Sequence, residues 1–479
     1  MNRLKYFKHL LGKFDLGSHK RRPCAAILAV SFATLLLAMI SGGTIAAAEV
    51  AIPELPGYDM PTNQFPLEQS AWAGVIDLIV LTVGLTLATI FTFWLRRRRA
   101  LWLLAIAALV YFGFYRHGCI CAIGSIQNVA LAIADTSYTI PITAIGFFSL
   151  PILFSLLFGR VFCGSICPLG AMQELVIVRA ARIPRQLVAP LSLLRYVYLG
   201  LAILLAVTGT AFIICRYDPF IGLMRLGGSP GMLIFGGVFL LLGTVIARPY
   251  CRFLCPYGAI LGLCSKVAWK QTTIAPRNDC IDCKFCDRVC PVDAIDRPSS
   301  TEPEESRRTA GRRLMLLMLV LPVIAIAGAG VGRLLALPLA ETNRTVQLAQ
   351  HYFALYPDQA PENAAIEIAA PKAAEPPALN KDETEAIDAF RDFDGDAPAL
   401  YERAVLVYDR MKTGSTLFGL FIGLVIGAKL IHLSIRRRRG QYTIDAADCV
   451  NCGRCYESCP KQWELRGHVL PVELHTGDR

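Results

Sequence analysis

Cys280-Ile-Asp-Cys283-Lys-Phe-Cys286-Asp-Arg-Val-Cys290-Pro291 and, near the other end of the chain, Cys449-Val-Asn-Cys452-Gly-Arg-Cys455-Tyr-Glu-Ser-Cys459-Pro460 share one spacing, C-x2-C-x2-C-x3-C-P. Thiolates so spaced ligate iron–sulfur cubanes. Three close cysteines wrap one corner, and the fourth, on a proline-stiffened turn, reaches the cluster of the other copy. The spacing therefore predicts two [4Fe–4S] clusters. Cys280, Cys283, Cys286 and Cys459 form one ligand set, and Cys449, Cys452, Cys455 and Cys290 form the other. Structural zinc also uses cysteine, but zinc sites rarely place four in one such run and need no paired copy.

Composition says what lies between the two runs. Of 479 residues, 54% are apolar and 18% charged, against about 25% charged in a soluble globular chain. Mean hydropathy is +0.47, which excludes an ordinary cytosolic enzyme and points to several membrane spans. Apolar stretches long enough, or nearly so, run over 25–48, 72–95, 100–115, 140–158, 193–214, 231–247, 314–338 and 415–434. Two of them separate the cysteine runs, so the chain returns to the side it left. An odd number would keep the runs apart.

Charge sets the expected orientation. Residues 1–23 carry seven Lys/Arg and 49–71 none, while arginines close the spans at Arg96–Arg99 and Arg436–Arg439. By the positive-inside rule both termini and the cysteine runs are expected in the cytoplasm. The net charge of +11 is thus explained by span ends, and no nucleic-acid partner is expected. The fold class is an α-helical polytopic membrane protein of about eight spans, with membrane lipid as its surroundings and a split two-[4Fe–4S] cytoplasmic module.

The chain divides into a basic leader with the first span and a short outer loop (1–71) and a membrane core (72–270). The first cluster half (271–313), a span (314–338), an outer insert (339–411), the last span with its arginines (412–440) and the second cluster half (441–479) follow. Ala46-Ala47-Ala48 before Glu49 resembles a signal-peptidase site, but the long leader and long apolar run favour a retained anchor. The insert is acidic and rich in Ala and Pro. Its Asp392-Phe-Asp394-Gly-Asp396 lacks the glycine and glutamate spacing of a calcium loop, and reads as a solvated turn.

Twelve of the seventeen cysteines fall in tight clusters, and no C-x-x-C is followed by His, so covalent haem is not expected. Beyond the two runs, Arg160-Val-Phe-Cys163-Gly-Ser-Ile-Cys167-Pro168-Leu-Gly170-Ala171 recurs as Arg248-Pro-Tyr-Cys251-Arg-Phe-Leu-Cys255-Pro256-Tyr-Gly258-Ala259. Proline after the second cysteine suits the first position of a helix, which puts that cysteine at a helix N-terminus, where a thiolate is favoured. Cys163, Cys167, Cys251 and Cys255 would supply four thiolates for a third site, or else pack two tight turns. A weaker copy, Cys119-Ile-Cys121-Ala-Ile-Gly124-Ser-Ile-Gln127, and Cys215 fall on the outer side. An outer redox site, a disulfide and buried free cysteines all fit there. Cys24 and Cys264 read as apolar filler. Asp77 and Arg195 are expected to snorkel from span ends or to handle protons or quinone. His117 and His432 form no facing pair for haem.

These motifs together resemble the NosR/NirI–NapH group of membrane-bound polyferredoxins. The turns Phe162–Ala171 and Cys251–Ala259, the Cys280–Pro291 run and the Cys449–Pro460 run carry the likeness, over roughly residues 72–465. The resemblance implies electron transfer across an inner membrane, from quinol or a cytoplasmic donor to a periplasmic flavin- or metal-containing acceptor of a respiratory system. The eight cysteines of the two runs carry over as cluster ligands. NosR-type proteins have a flavin-binding domain after the first span. Here that loop is short and has no S-G-A-T motif, so flavin would come only through a partner. Two other functions compete: copper reduction during oxidase assembly, as in FixG/CcoG-type proteins, and redox-driven ion pumping, as in Rnf-type complexes. The first usually has an Ig-like outer domain, and the second needs a path of intramembrane carboxylates.

Overall fold

The computed structural model describes residues 71–465 apart from 119–120, 136–137, 179, 226, 228–229, 275–279, 299–305, 360–380, 393–395 and 436–438. The expected first span at 25–48, Cys24, Cys119 and the middle of the Asp392–Asp396 run lie outside the described residues.

Helices α1 (Ala71–Phe93), α2 (Arg98–Ala108), α3 (Ser125–Ala134) and α4 (Ile142–Phe158) open the core, and α2 runs on as a π-helix over Leu109–Tyr115. Helix α1 shows how an apolar stretch tolerates polar residues. The hydroxyls of Thr82, Thr89 and Thr92 each donate to the carbonyl one turn back at 2.8 Å, which leaves no polar group unsatisfied in an apolar surround. The two cysteine turns follow as helix pairs. Helices α5 (Val161–Ser165) and α6 (Pro168–Leu175) form the first, and α7 (Arg185–Leu191), α8 (Leu194–Val207), α9 (Ile213–Tyr217), α10 (Ile221–Met224) and α11 (Pro230–Val245) intervene. The second turn is α12 (Pro249–Phe253) and α13 (Pro256–Lys266). Leu81, Leu85, Phe154, Phe158, Tyr250 and Tyr257 are buried together at the centre.

Among the described residues, five helices are long and apolar enough to cross a membrane: Trp72–Phe93, Arg98–Tyr115, Gln186–Val207, Arg308–Leu334 and Ala397–Ser434. The expected spans at 140–158 and 231–247 coincide with shorter apolar helices, Ile142–Phe158 and Pro230–Val245. Helix α4, at 17 residues, is about 25 Å long at 1.5 Å per residue, a little short of a bilayer core of about 30 Å.

The second part of the chain is α14 (Phe285–Val289), β1 (Ile295–Asp296), α15 (Arg307–Leu334), α16 (Ala336–Ala340), α17 (Arg344–Leu355), α18 (Lys381–Asp392), α19 (Ala397–Ser434), β2 (Thr443–Ile444), α20 (Arg454–Glu457) and α21 (Pro460–Leu465). Helices α15 and α19 form a hairpin that carries the chain away and back. Gly328 and Gly332 of α15 face Ser415, Gly419 and Gly423 of α19 so closely that a Cβ on Gly332 would strike the Ser415 carbonyl. Small residues at such four-residue spacing let backbones approach in a membrane. The outward faces are apolar and bare, with Met315 73% and Leu319 65% exposed, as lipid-facing residues would be.

The hairpin's return closes a two-stranded antiparallel sheet, with Ile295 opposite Ile444 and Asp296 opposite Thr443. The Arg439–Asp296 ion pair at 2.8 Å fastens its edge. The two cysteine runs thus meet.

The described part of the outer insert is helical and has its own core of Val346, Tyr352 and Phe353 on α17, Ile387 on α18 and Leu400 and Ala404 on α19. The helix that contains the expected last span starts earlier, at Ala397, because nothing breaks it between the Asp396 cap and Ser434; at 38 residues it is about 57 Å long, longer than a bilayer, so its first turns extend beyond one. One expectation is corrected. Asp77 and Arg195 do not snorkel. Asp77 is 1% exposed and accepts from Arg116 at 2.6 Å and Tyr111 at 2.9 Å, while Arg195 is 6% exposed and pairs with Asp448 at 3.4 Å.

One carboxylate ties the cysteine-run module to the core. Glu174 of α6 accepts from Arg248 of the second turn and from Arg454 of α20, each Nε at 3.1 Å. Burial opposes its charge, but Arg248 and Arg454 outweigh that and hold the carboxyl below its usual range. Asn451 Nδ2 adds a bond to the Phe158 carbonyl at 3.1 Å.

Two outcomes are expected. Gly419→Leu forces α15 and α19 apart and lowers the melting temperature in detergent, overpacking costing about 1–3 kcal/mol. Gly330→Leu, whose Cβ meets nothing within 4 Å, leaves the melting temperature unchanged. Glu174→Gln leaves buried Arg248 and half-buried Arg454 short of their counter-charge, a loss of about 3–5 kcal/mol, and limited proteolysis should then release the segment after residue 440 first.

Candidate iron–sulfur sites

The turn chemistry of the two runs aims their thiols inward. Lys284 and Gly453 hold the left-handed conformation (φ 64° and 79°) just before α14 and α20, and each reverses the chain within one C-x2-C step. Asp282 and Asn451 are left-handed as well. Asparagine and aspartate tolerate this region better than most residues.

Cys280, Cys283 and Cys286 of the first run and Cys459 of the second line one cavity of ≈ 220 Å³, together with Tyr442 and Ile444. Cys449, Cys452 and Cys455 of the second run and Cys290 of the first line another, tighter one of ≈ 20 Å³. Each cavity is walled by three thiols from one run and one from the other. Among the described residues no three His, Cys, Asp or Glu converge closely enough for a single ion. A cubane, which holds its ligand sulfurs apart around its own core, asks for a thiol-lined cavity of this kind; in the tighter one it would spread the four thiols.

Charge chemistry agrees. Burial pushes the Cys286 and Cys449 thiols up to about 12 and Cys290 up to about 11, and neighbouring thiols push each further. A metal centre, which supplies positive charge, would favour the thiolate form of all of them together. Backbone amides already point at sulfur: Ala294 N–H at Cys290 (3.3 Å) and Asn451 N–H at Cys449 (3.5 Å).

The C-x3-C-P cysteines form a third group. Cys167 and Cys255 are the N-caps of α6 and α13, with Pro168 and Pro256 just inside, the position that the Cys-Pro step predicts. Gly258 N–H donates to Cys255 Sγ at 3.3 Å, and Gln173 Nε2 donates to Cys251 Sγ at 3.2 Å. Burial first, then the charges of Cys251, Cys163 and Cys255, would push Cys167 well above its ordinary value; the four cysteines are close neighbours.

The three groups touch in sequence. Cys286 and Cys459 share an apolar cluster with Cys290 and Cys455, and Cys290, Cys449 and Cys452 share the next with Cys163. Cys167 and Cys121 line one small apolar cavity, and a Cβ on Gly124 would lie 3.4 Å from Cys215 Sγ. Cys264 belongs to none of these groups. His117 is an exposed turn residue, and His432 lines an open cavity beside Arg195. Sequence reasoning assigned nothing to Arg160, Gln173, Glu174, Arg248 or Asn451, although Arg-x-x-Cys recurs in both turns; the repeat gave no sign that each arginine lies against the glycine of the other copy.

Comparison with known proteins points the same way. Residues 140–186 and 229–273 match a 4Fe-4S binding domain, as do residues 442–462. The first match contains all four C-x3-C-P cysteines. The uncharacterized protein MJ0750 of Methanocaldococcus jannaschii is 30% identical over 192 residues, 38% of this chain and 77% of the relative. NirI of Paracoccus denitrificans is 32% identical over 31% of this chain and 24% of its own. The putative electron transport protein YccM of Escherichia coli is 32% identical over 29% of this chain and 43% of its own. The chain thus spans less than half the length of NirI and YccM. No solved structure matches it. With five long apolar helices among its described residues and its 4Fe-4S domains, the chain belongs to the NosR/NirI–NapH-type family of membrane-bound 4Fe-4S ferredoxin proteins.

Proposed function

We propose that the chain is a membrane electron conduit. Cys280, Cys283, Cys286 and Cys459 hold one [4Fe–4S] cluster, Cys449, Cys452, Cys455 and Cys290 a second, and Cys163, Cys167, Cys251 and Cys255 a third. The ferredoxin-like module faces the cytoplasm of an inner-membrane protein with eight spans, and the donor is quinol or a cytoplasmic carrier. The acceptor is a periplasmic flavin- or metal-containing respiratory protein, approached through the Cys121 and Cys215 side. Iron–sulfur clusters supply one-electron transfer, with potentials set by charge, hydrogen bonds and burial.

The observation that carries this reading is the unbroken series of thiols, from the cavity at Cys280 through Cys290 and Cys163 to Cys167 and Cys121. What the chain's own residues do follows from it. Amides of Ala294, Asn451 and Gly258 steady the sulfurs, Gln173 orients Cys251, and Val292, Ala294 and Val450 keep water from the contact between the middle and inner groups.

Iron analysis and EPR of the reduced protein test it. The wild-type chain should hold about twelve iron atoms, four for each cubane. Cys459→Ser should lose one signal and about four irons although it lies far in sequence from the other three cysteines of its cavity. If Cys459→Ser instead disturbs only the signal that Cys449→Ser removes, the shared-ligand arrangement is wrong. Rapid copper reduction by purified protein, with no electron passing to an outer acceptor, would favour the assembly-factor function.

A further inference from the structure

Arg160 and Arg248 occupy the same place in the two C-x3-C-P turns, three residues before the first cysteine. Each guanidinium crosses to the other turn. A Cβ on Gly258 would meet Arg160 Nη2 at 3.1 Å, and one on Gly170 would meet Arg248 Nη1 at 3.5 Å. Gly170 and Gly258 are themselves equivalent positions, so the absent side chain in each copy makes room for the arginine of its mate. Both arginines are buried, 3% and 1% exposed, yet their partners differ. Arg248 is paired with Glu174 and donates to the Cys163 carbonyl at 2.7 Å. Arg160 has no ion-pair partner among the described residues: Nη1 donates to the Ala447 carbonyl at 2.8 Å, Nη2 to Cys163 Sγ at 3.7 Å, and Nε to nothing.

Two more arginines stand beside it, Arg195 buried and Arg252 half-buried. Arg195 Nε and Arg252 Nη1 are also without partners, and all four guanidiniums line one small cavity next to Cys251. Arg195 is paired with Asp448, and Arg252 with Asp293. Arg160 is the charge left over. A buried cation without an ion pair is strongly unfavourable unless negative charge stands close by. The Asp448 carboxylate lines the same cavity but is paired with Arg195. The ionisable group that Arg160 itself contacts is the sulfur of Cys163, which a bound cluster would make a thiolate. A cubane with four thiolate ligands carries net negative charge, which grows by one when it is reduced, so a fixed cation at its sulfur stabilises the reduced state more than the oxidised one.

We propose that Arg160, supported by Arg248, Arg195 and Arg252, raises the reduction potential of the cluster at the C-x3-C-P turns and makes it the electron acceptor of the two ferredoxin-like clusters. The inference rests on the third cluster proposed above. In the step it concerns, one electron would pass from the cluster that Cys449, Cys452, Cys455 and Cys290 would hold (the middle one) to the one that Cys163, Cys167, Cys251 and Cys255 would hold (the inner one); no bond would be made or broken, and the thiolates would stay bound. Arg160 acts through Cys163 and is a positioning residue.

An EPR-monitored redox titration of the full chain in detergent tests this. Arg160→Gln should shift the midpoint of the inner cluster to lower potential and reduce its occupancy by electrons in the partly reduced protein, with iron content unchanged. Arg160→Lys, which keeps the charge, should restore most of the shift. Arg195→Gln, which touches neither turn's thiols, should shift the same midpoint downward and carries the test if Arg160→Gln fails to load iron. An inner-cluster midpoint unmoved in the loaded variants, or lowered equally by Arg160→Lys and Arg160→Gln, overturns the inference alone. Wild-type protein with iron for two clusters only overturns the third cluster and this inference with it.

Discussion

Four thiols must face a common cavity before an iron–sulfur cubane can be held, and in this chain each cavity draws its fourth thiol from the far side of a membrane hairpin. Cys459 cannot reach Cys280, Cys283 and Cys286 unless α15 leaves and α19 returns to the same surface. The close glycine crossing of the hairpin, the two-residue strands at Ile295 and Ile444, and the Arg439–Asp296 pair all act toward that closure. Neither strand is long enough to hold alone, and the membrane spans do the bringing-together. The sheet only sets the register.

A second demand follows from the first. Thiols gathered in an apolar interior resist ionisation, so positive charge must be brought to them. The chain does this with arginines rather than lysines, and with few carboxylates to offset them. Glu174 connects Arg248 to Arg454 and so joins the membrane turn to the module that docks on it. Arg160 reaches both the Cys163 sulfur and the Ala447 carbonyl. The same groups that seat the module on the core therefore lie between its cysteines and those of the core, which couples assembly to the electrostatics of the proposed path.

Much of the arrangement was legible in the residues alone. The paired C-x2-C-x2-C-x3-C-P runs, the even number of apolar stretches between them and the repeated C-x3-C-P turn are local patterns, and the helices and N-caps appear where those patterns predict. Other features were misread for one reason. Asp77 and Arg195 sit near the ends of apolar stretches, and from a linear sequence a span end looks wet. The fold covers both, Asp77 with Arg116 and Tyr111, Arg195 with the docked second run. The core of the insert was not legible either, since its few apolar residues are spread over three helices and form a core only when those pack.

Periodicity, spacing and loop charge depend on near neighbours along the chain, so they were enough to establish a helical membrane protein with thiol runs set for iron–sulfur chemistry. Which thiols share a cavity, that Cys163 stands next to Cys290, and that Arg160 and Arg248 each cross to the opposite turn are relations between residues distant in sequence. They come from the packing of one turn against its repeat and of one run against the other. No local signal encodes them, because the energy that selects them, burial of charge beside sulfur and of glycine against guanidinium, exists only once both partners are in place.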